Sequence, residues 1–262
     1  MWTFERGRPR LVGMVHLLPL PGAPRPAAWP RLLERAVADA RAWVQGGADA
    51  VLIENFGDSP FAPMAVAPIT VAAMARAIAA VRAAVDLPLG VNVLRNDAAA
   101  ALALAAAFDL DFLRVNVHAG VAVADQGLLV GRADQTLRER AALRSRAQLW
   151  ADLRVKHARP LVERPFLEEA HELHERAHAD ALLVTGSATG RAPDLAQVAA
   201  LAKELPRCPL VLASGATPKL IAEARPHLSG CIVGTSAKRG GRLAAPVDVS
   251  RVRALAKACR GR

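Results

Sequence analysis

Short apolar runs alternate along the chain with longer segments in which apolar residues return at helical spacing. The runs are Leu11–Leu17, Ala50–Asn55, Leu89–Leu94, Phe112–His118, Trp150–His157, Ala181–Gly186, Leu210–Ser214 and Cys231–Thr235. Each reads as a strand. The segments between them read as helices over Arg31–Gln45, Ile69–Val85, Asn96 or Asp97 to Phe108, Thr136–Gln148, Glu168–His178, Asp194–Leu205, Thr217–His227 and Asp248–Cys259. Gly46 and Gly47 stop the first helix. Four prolines between Leu18 and Pro30 keep that stretch out of helix. Strand–helix alternation of this kind predicts an α/β protein with a parallel sheet, closed here as a single (β/α)8 TIM barrel spanning residues 1–262. The longest interruption, Ala119–Gln135, has alternating apolar residues and glycines, which predict a small hairpin and a candidate lid over the mouth.

Side chains alternate along a strand, and the face turned away from the outer helices is the barrel lumen. Applied strand by strand, this rule turns His16, Glu54, Asn92, Arg114, Asn116, His118, Asp152, Arg154 and Lys156 inward. Charges inside a barrel must be paired or reach water. Arg114, Asp152 and Arg154 lie early on their strands, where a salt-bridged plug competes with a functional role. Glu54, Asn92, Asn116, His118 and Lys156 lie at strand C-termini, where barrel enzymes keep reactive groups. Lys156, Glu54, His118, Asn116, Asn92, Asp152 and His16 therefore form the candidate catalytic set. His16 reads equally as a ligand, a base or a buried structural histidine. Lys156 beside two arginines is expected to have its pKa pushed down, which suits a base or an anion clamp.

The last strands run into small hydroxyl-bearing residues and glycine: Gly186, Ser187, Thr189 and Gly190 after strand six, Ser214 and Gly215 after strand seven, and Gly234, Thr235 and Ser236 after strand eight. Glycine lets the backbone approach closely, and N–H and hydroxyl groups then bind phosphate oxygens. These loops are the candidate phosphate site.

Composition narrows the classes. Hydrophobic residues make up 53% and aromatics 4%, so Ala, Val and Leu do most of the packing. Net charge is +10, which suits an acidic or phosphorylated partner. The arginines are scattered and not laced with aromatics, which argues against nucleic acid. No GxGxxG follows the first strand, against a dinucleotide cofactor, and no cofactor is evident. His171 and His174 lack the acidic or thiolate company of a metal site and read as a solvated helix face. Cys208, Cys231 and Cys259 are far apart and odd in number, as in a reduced, cytoplasmic protein. A homo-oligomer is compatible with all of this. No apolar run is long enough to span a membrane; peripheral attachment through the basic surface is the alternative location.

GMVHLLPLPGAP, DAVLIENFGDSPF, RVNVH with ADQGLLVG, ADLRVKHARPL, LLVTGSATG, CIVGTSAKRGG and PVDVSRV together resemble the BtpA family, from about Gly13 to Val252. The resemblance implies a TIM barrel related to the ribulose-phosphate-binding barrels. The family is named for a cyanobacterial member needed for photosystem I accumulation, so it implies a second function class: a non-catalytic assembly factor for a membrane complex. Residues and resemblance together point first to an enzyme acting on a small phosphorylated metabolite at the C-terminal mouth.

Overall fold

The computed structural model describes residues 3–186 and 193–261. The strands are β1 (Arg10–His16), β2 (Ala50–Glu54), β3 (Leu89–Asn92), β4 (Phe112–Val115), β5 (Val121–Ala124), β6 (Gly127–Val130), β7 (Gln148–Asp152), β8 (Ala158–Pro160), β9 (Ala181–Val184), β10 (Leu210–Leu212) and β11 (Gly230–Val233). Eight of them close a barrel in the order β1-β11-β10-β9-β7-β4-β3-β2, every pairing parallel. The helices α1 (Trp29–Gly46), α2 (Pro68–Ala84), α3 (Ala98–Ala107), α4 (Ala133–Ala142), α5 (Phe166–His171), α6 (Leu195–Glu204), α7 (Pro218–Ala224) and α8 (Val249–Arg260) carry the crossovers. The expected barrel is the observed one.

Strand parity divides the core in two. Leu11, Val15, Val51, Ile53, Leu113 and Val115 face the helices in one large cluster. Val12, Met14, Ala50, Leu52, Phe112, Trp150, Leu183, Val211 and Ile232 fill the lumen in a second. Phe112 and Trp150 stack there with ring centroids 3.9 Å apart. Gly90 makes room for that stack, since a Cβ on it would lie 2.2 Å from the Phe112 ring. The lower lumen is thus apolar and solid, and polar residues begin only one layer higher.

Local chemistry sets the element ends, two of them as expected and two not. Gly47, at φ 87°, caps α1 in the left-handed region, as the paired glycines suggested. Asp97, not Asn96, caps α3 by accepting from Ala100 N at 2.9 Å. Helix α4 ends at Ala142, well short of Gln148, which already opens β7. The fifth helical segment is α only to His171 and passes into a π turn over Glu172–Arg176.

Residues 119–135 do form the expected hairpin, β5 against β6, and also hold the start of α4. The hairpin gains a third strand that periodicity did not suggest: β8 pairs antiparallel with β5. Leu129, Ala122, Val117 and Val155 form a small apolar cluster beneath this sheet.

The largest correction concerns the fifth expected strand, Trp150–His157. Only its beginning is strand, because β7 ends at Asp152. His157, at φ 59°, lies in the turn that leads to β8. Inward–outward alternation therefore stops at Asp152, and residues 153–157 are placed by turn geometry.

Candidate functional site

Above the apolar plug, the next layer of inward positions carries His16 from β1, Glu54 from β2, Asn92 from β3, Arg114 from β4 and Asp152 from β7. All but His16 are buried. Arg114 is the centre. Its Nε donates to Asp152 Oδ1 at 3.2 Å and its Nη2 to Oδ2 at 3.0 Å, a two-pronged pair. Asn116 Nδ2 donates to the same Asp152 Oδ2 at 2.7 Å, and Asn92 Nδ2 donates to Asn116 Oδ1 at 3.1 Å. Glu54 stands on the other side of the guanidinium, 3.9 Å from Nη1. His16 Nε2 lies 3.7 Å from Glu54 Oε1. The Phe56 ring lies against His16, centroids 4.7 Å apart.

Burial and charge set the protonation states. Burial pushes Glu54 up from the ordinary carboxylate range, against the pull of Arg114, Lys156 and Arg95. His16 is held well below its ordinary value by burial and then by Lys238, Lys156 and Arg114, so its imidazole is neutral. Burial alone would lower Arg114, but Asp152 and Glu54 outweigh it and the guanidinium is held charged. Among the described residues, His16 Nδ1 and Asn92 Oδ1 are buried without a hydrogen-bond partner.

Lys156 reaches this layer by another route than strand parity. It sits in the turn beyond β7, where Arg95 Nη2 donates to its carbonyl at 2.6 Å. Its side chain nevertheless lines the same cavity as His16, Glu54 and Arg114. Burial, then Arg114, lowers its pKa, with Glu54 and Asp152 opposing.

This cavity holds ≈ 210 Å³. Its far wall consists of Ser214, Gly215, Ala216 and Thr217 after β10 and Gly234, Thr235 and Ser236 after β11. Ser236 Oγ donates to Ala216 O at 2.5 Å and so ties the two loops together. Gly215, at φ 66°, needs the freedom of glycine. A Cβ on Gly234 would lie 2.7 Å from His16 Cε1, so any larger residue would push the imidazole aside. Two of the three expected phosphate loops thus face the charged cluster. Ser187, Thr189 and Gly190 of the remaining loop lie outside the described residues. Gly186 is placed elsewhere, in a separate cavity with Thr185, Arg154 and Asp194.

Two inward assignments fail, both past a strand end. His118 lies beyond the end of β4, is buried, and approaches the Ala177 carbonyl through Nε2 at 2.9 Å, on the helix side of the barrel. Arg154 turns outward to Glu169 of α5, with Nε 2.8 Å from Oε2, and lies over the Phe166 ring. His171 pairs with Glu175 and Glu204 on the outer surface, and His174 Nδ1 approaches the Ala179 carbonyl, as a structural helix face does. Among the described residues no group of three His, Cys, Asp or Glu is placed to hold a metal ion. The three cysteines are free and buried.

Parity also missed neighbours. Arg95 is buried just past β3, with Asp152, Arg114 and Glu54 as its electrostatic partners. Lys238, buried after β11, adds positive charge near His16. Phe56 lies just past β2. Each lies beyond the end of a barrel strand, so reading strand-end loops as closely as strands would have found them.

A further cavity of ≈ 270 Å³ lies beneath the three-stranded sheet, lined by Val117, Ala122, Leu153, Val155, Leu161 and Leu173, with Asn116 and Asp152 at its inner end. Arg154, Arg159, Arg164, Glu169 and Glu172 also line it, and the Arg114–Asp152–Asn116 network lies between the two cavities.

The sequence matches the BtpA family over residues 8–261. An uncharacterized protein of Archaeoglobus fulgidus is 41% identical over 251 residues, covering 96% of this chain and 98% of the relative. The photosystem I biogenesis protein BtpA of Synechocystis is 38% identical over 260 residues, covering 98% of this chain and 89% of the relative. Among solved structures, thiamine phosphate pyrophosphorylase from Pyrococcus furiosus superposes with a TM-score of 0.61 over 98% of both chains, at 15% identity, a likeness of fold.

Proposed function

The chain belongs to the BtpA family, and on that premise we propose that it is an enzyme acting on a small phosphorylated metabolite at the C-terminal mouth of its barrel. One observation carries this reading: a single cavity sets Lys156, Arg114, Glu54 and His16 opposite the glycine and hydroxyl loops after β10 and β11. In a barrel of this kind the loops at those strand ends are the habitual seat of a phosphate group. A resident structural pair would need only Arg114 and Asp152. The cationic Lys156 and the raised carboxyl of Glu54 are left to meet a ligand.

In this reading the backbone of Gly215, Gly234 and Thr235 and the Ser214 hydroxyl hold the phosphate. Lys156 and Arg114 balance its charge. Glu54 supplies or takes a proton, and neutral His16 acts as a hydrogen-bonding or basic partner. Asn92, Asn116 and Asp152 fix Arg114. The decisive experiment is titration calorimetry with inorganic phosphate and pyrophosphate, followed by a crystal soak. An anion seated between residues 214–217 and 234–236 is the expected outcome. No heat and no anion in those loops would overturn the reading.

A second reading, assembly factor for a membrane complex, rests on the name of the Synechocystis relative. Exposed Val123, Leu128 and Val130 on the hairpin favour a contact surface. Among the described residues no helix is long and apolar enough to cross a membrane.

A further inference from the structure

Within the phosphate-binding reading, we propose that Lys156 is a nucleophilic amine that forms an imine with the carbonyl carbon of a phosphorylated aldehyde or ketone. The proposal rests on that reading for the phosphate and on separate observations for the amine.

The chain holds five lysines beside 29 arginines. Lys203, Lys219 and Lys257 are exposed on helices, whereas Lys156 and Lys238 follow the ends of β7 and β11. Holding an anion does not require lysine, and arginine does it with a fork of donors and without losing its proton. Lysine adds one capability that arginine lacks, a neutral nitrogen with a lone pair. Lys156 lines the cavity, whereas Lys238, whose electrostatic neighbours Asp39 and Arg35 lie on α1, does not. Asp152, one of the two carboxylates that act on Lys156, is already engaged by Arg114 and Asn116. Among the described residues Lys156 makes no ion pair. Burial and the neighbouring Arg114 both favour its neutral form.

Glu54 lines the same cavity and retains its proton more readily than an exposed carboxyl. The step balances with these two groups alone. The amine lone pair of Lys156 attacks the carbonyl carbon and forms a C–N bond, while the C=O π pair moves to oxygen. The oxygen is protonated by transfer from the attacking ammonium, giving a carbinolamine. Glu54 donates its proton to the departing hydroxyl and water leaves. The product is a protonated imine on Lys156, beside the Glu54 carboxylate that its positive charge stabilises. One amine, one carbonyl and one carboxylic acid become one iminium, one water and one carboxylate. The iminium withdraws electrons from the adjacent carbon, the chemistry shared by isomerisation and aldol-type cleavage.

The test uses the full chain with pyridoxal 5′-phosphate, a phosphorylated aldehyde, at substoichiometric concentration, then borohydride reduction and peptide mapping. The expected result is at least tenfold more reduced adduct on Lys156 than on Lys203, Lys219 or Lys257. Label spread evenly over the exposed lysines, or concentrated on Lys238, would overturn the proposal. Lys156→Arg keeps the charge and removes the nucleophile. It should retain phosphate binding by calorimetry and lose the adduct at this site. Phosphate binding without preferential Lys156 labelling sinks the imine and leaves the phosphate site standing. Preferential labelling that saturating inorganic phosphate does not suppress sinks the phosphate site and leaves the amine.

Discussion

Arg114 and Asp152 sit at the boundary between the apolar plug and the polar chamber, and both are almost fully buried. Removing one member strands the other as an uncompensated buried charge, whereas replacing both with apolar side chains removes the desolvation cost together with the pair. Asp152→Ala is therefore expected to destabilise by about 3–5 kcal/mol in urea unfolding. The double change Arg114→Met with Asp152→Leu should recover most of that loss. Equal instability of the single and double variants would show that the side-chain shapes, not the charges, hold this layer. His16 provides a pH signature. Its folded pKa lies below the ordinary 6.5, because burial and the cations Lys238, Lys156, Arg114 and Arg35 disfavour the imidazolium. The unfolded chain therefore binds this proton first as pH falls. The stability His16 contributes is complete above 6.5 and is lost as pH drops from there through its lower folded value. Melting temperatures measured from pH 8 downward should fall more gently for His16→Gln than for the parent chain.

The three-stranded sheet is held by Leu129, fully buried against Val117, Ala122 and Val155. Leu129→Asp buries an unpaired carboxylate, so the sheet should release while the separate barrel core keeps its packing. Limited proteolysis should then cut within residues 119–131, with the main thermal transition nearly unmoved. Loss of the whole transition would mean that sheet and barrel unfold as one unit. The same element marks where the sequence stopped being legible. Within strands, the period of two placed His16, Glu54, Asn92, Arg114 and Asp152 on the correct face, because a ladder fixes each side chain against its neighbours. Past Val115 and Asp152 the ladder ends. His118 and Arg154 then follow turn geometry, which period alone does not encode, and both point to the helix side. Lys156 reached the expected cavity although the strand argument for it was wrong. The turn toward β8 brings it there, and β8 is a short strand whose partner, β5, lies in a hairpin. Arg95 and Lys238 were missed for the same reason, since both lie beyond strand ends.

At the scale of the whole molecule, closure and charge act together. The β1–β11 pairing leaves the barrel without an open edge, so its polar groups converge on one mouth. The net charge of +10 is spread over arginines outside as well as Arg114, Arg95 and Lys156 inside. Surface charge raises the encounter rate of an anion and is screened within roughly 10 Å at 0.1 M salt. Charges inside a narrow, low-dielectric chamber are screened much less. For an anionic phosphate ligand, raising sodium chloride from about 0.05 M to 0.5 M should therefore slow association several-fold and leave dissociation nearly unchanged. Lys156→Met should do the reverse. The long-range field hardly changes when one charge among many is lost, so association should persist. The contact inside the cavity is removed, so dissociation should quicken by about tenfold, near 1.4 kcal/mol. Stopped-flow or surface-resonance kinetics with pyrophosphate would separate the two effects. An equal response of both rate constants to salt and to Lys156→Met would place the anion on the outer surface, away from the barrel mouth.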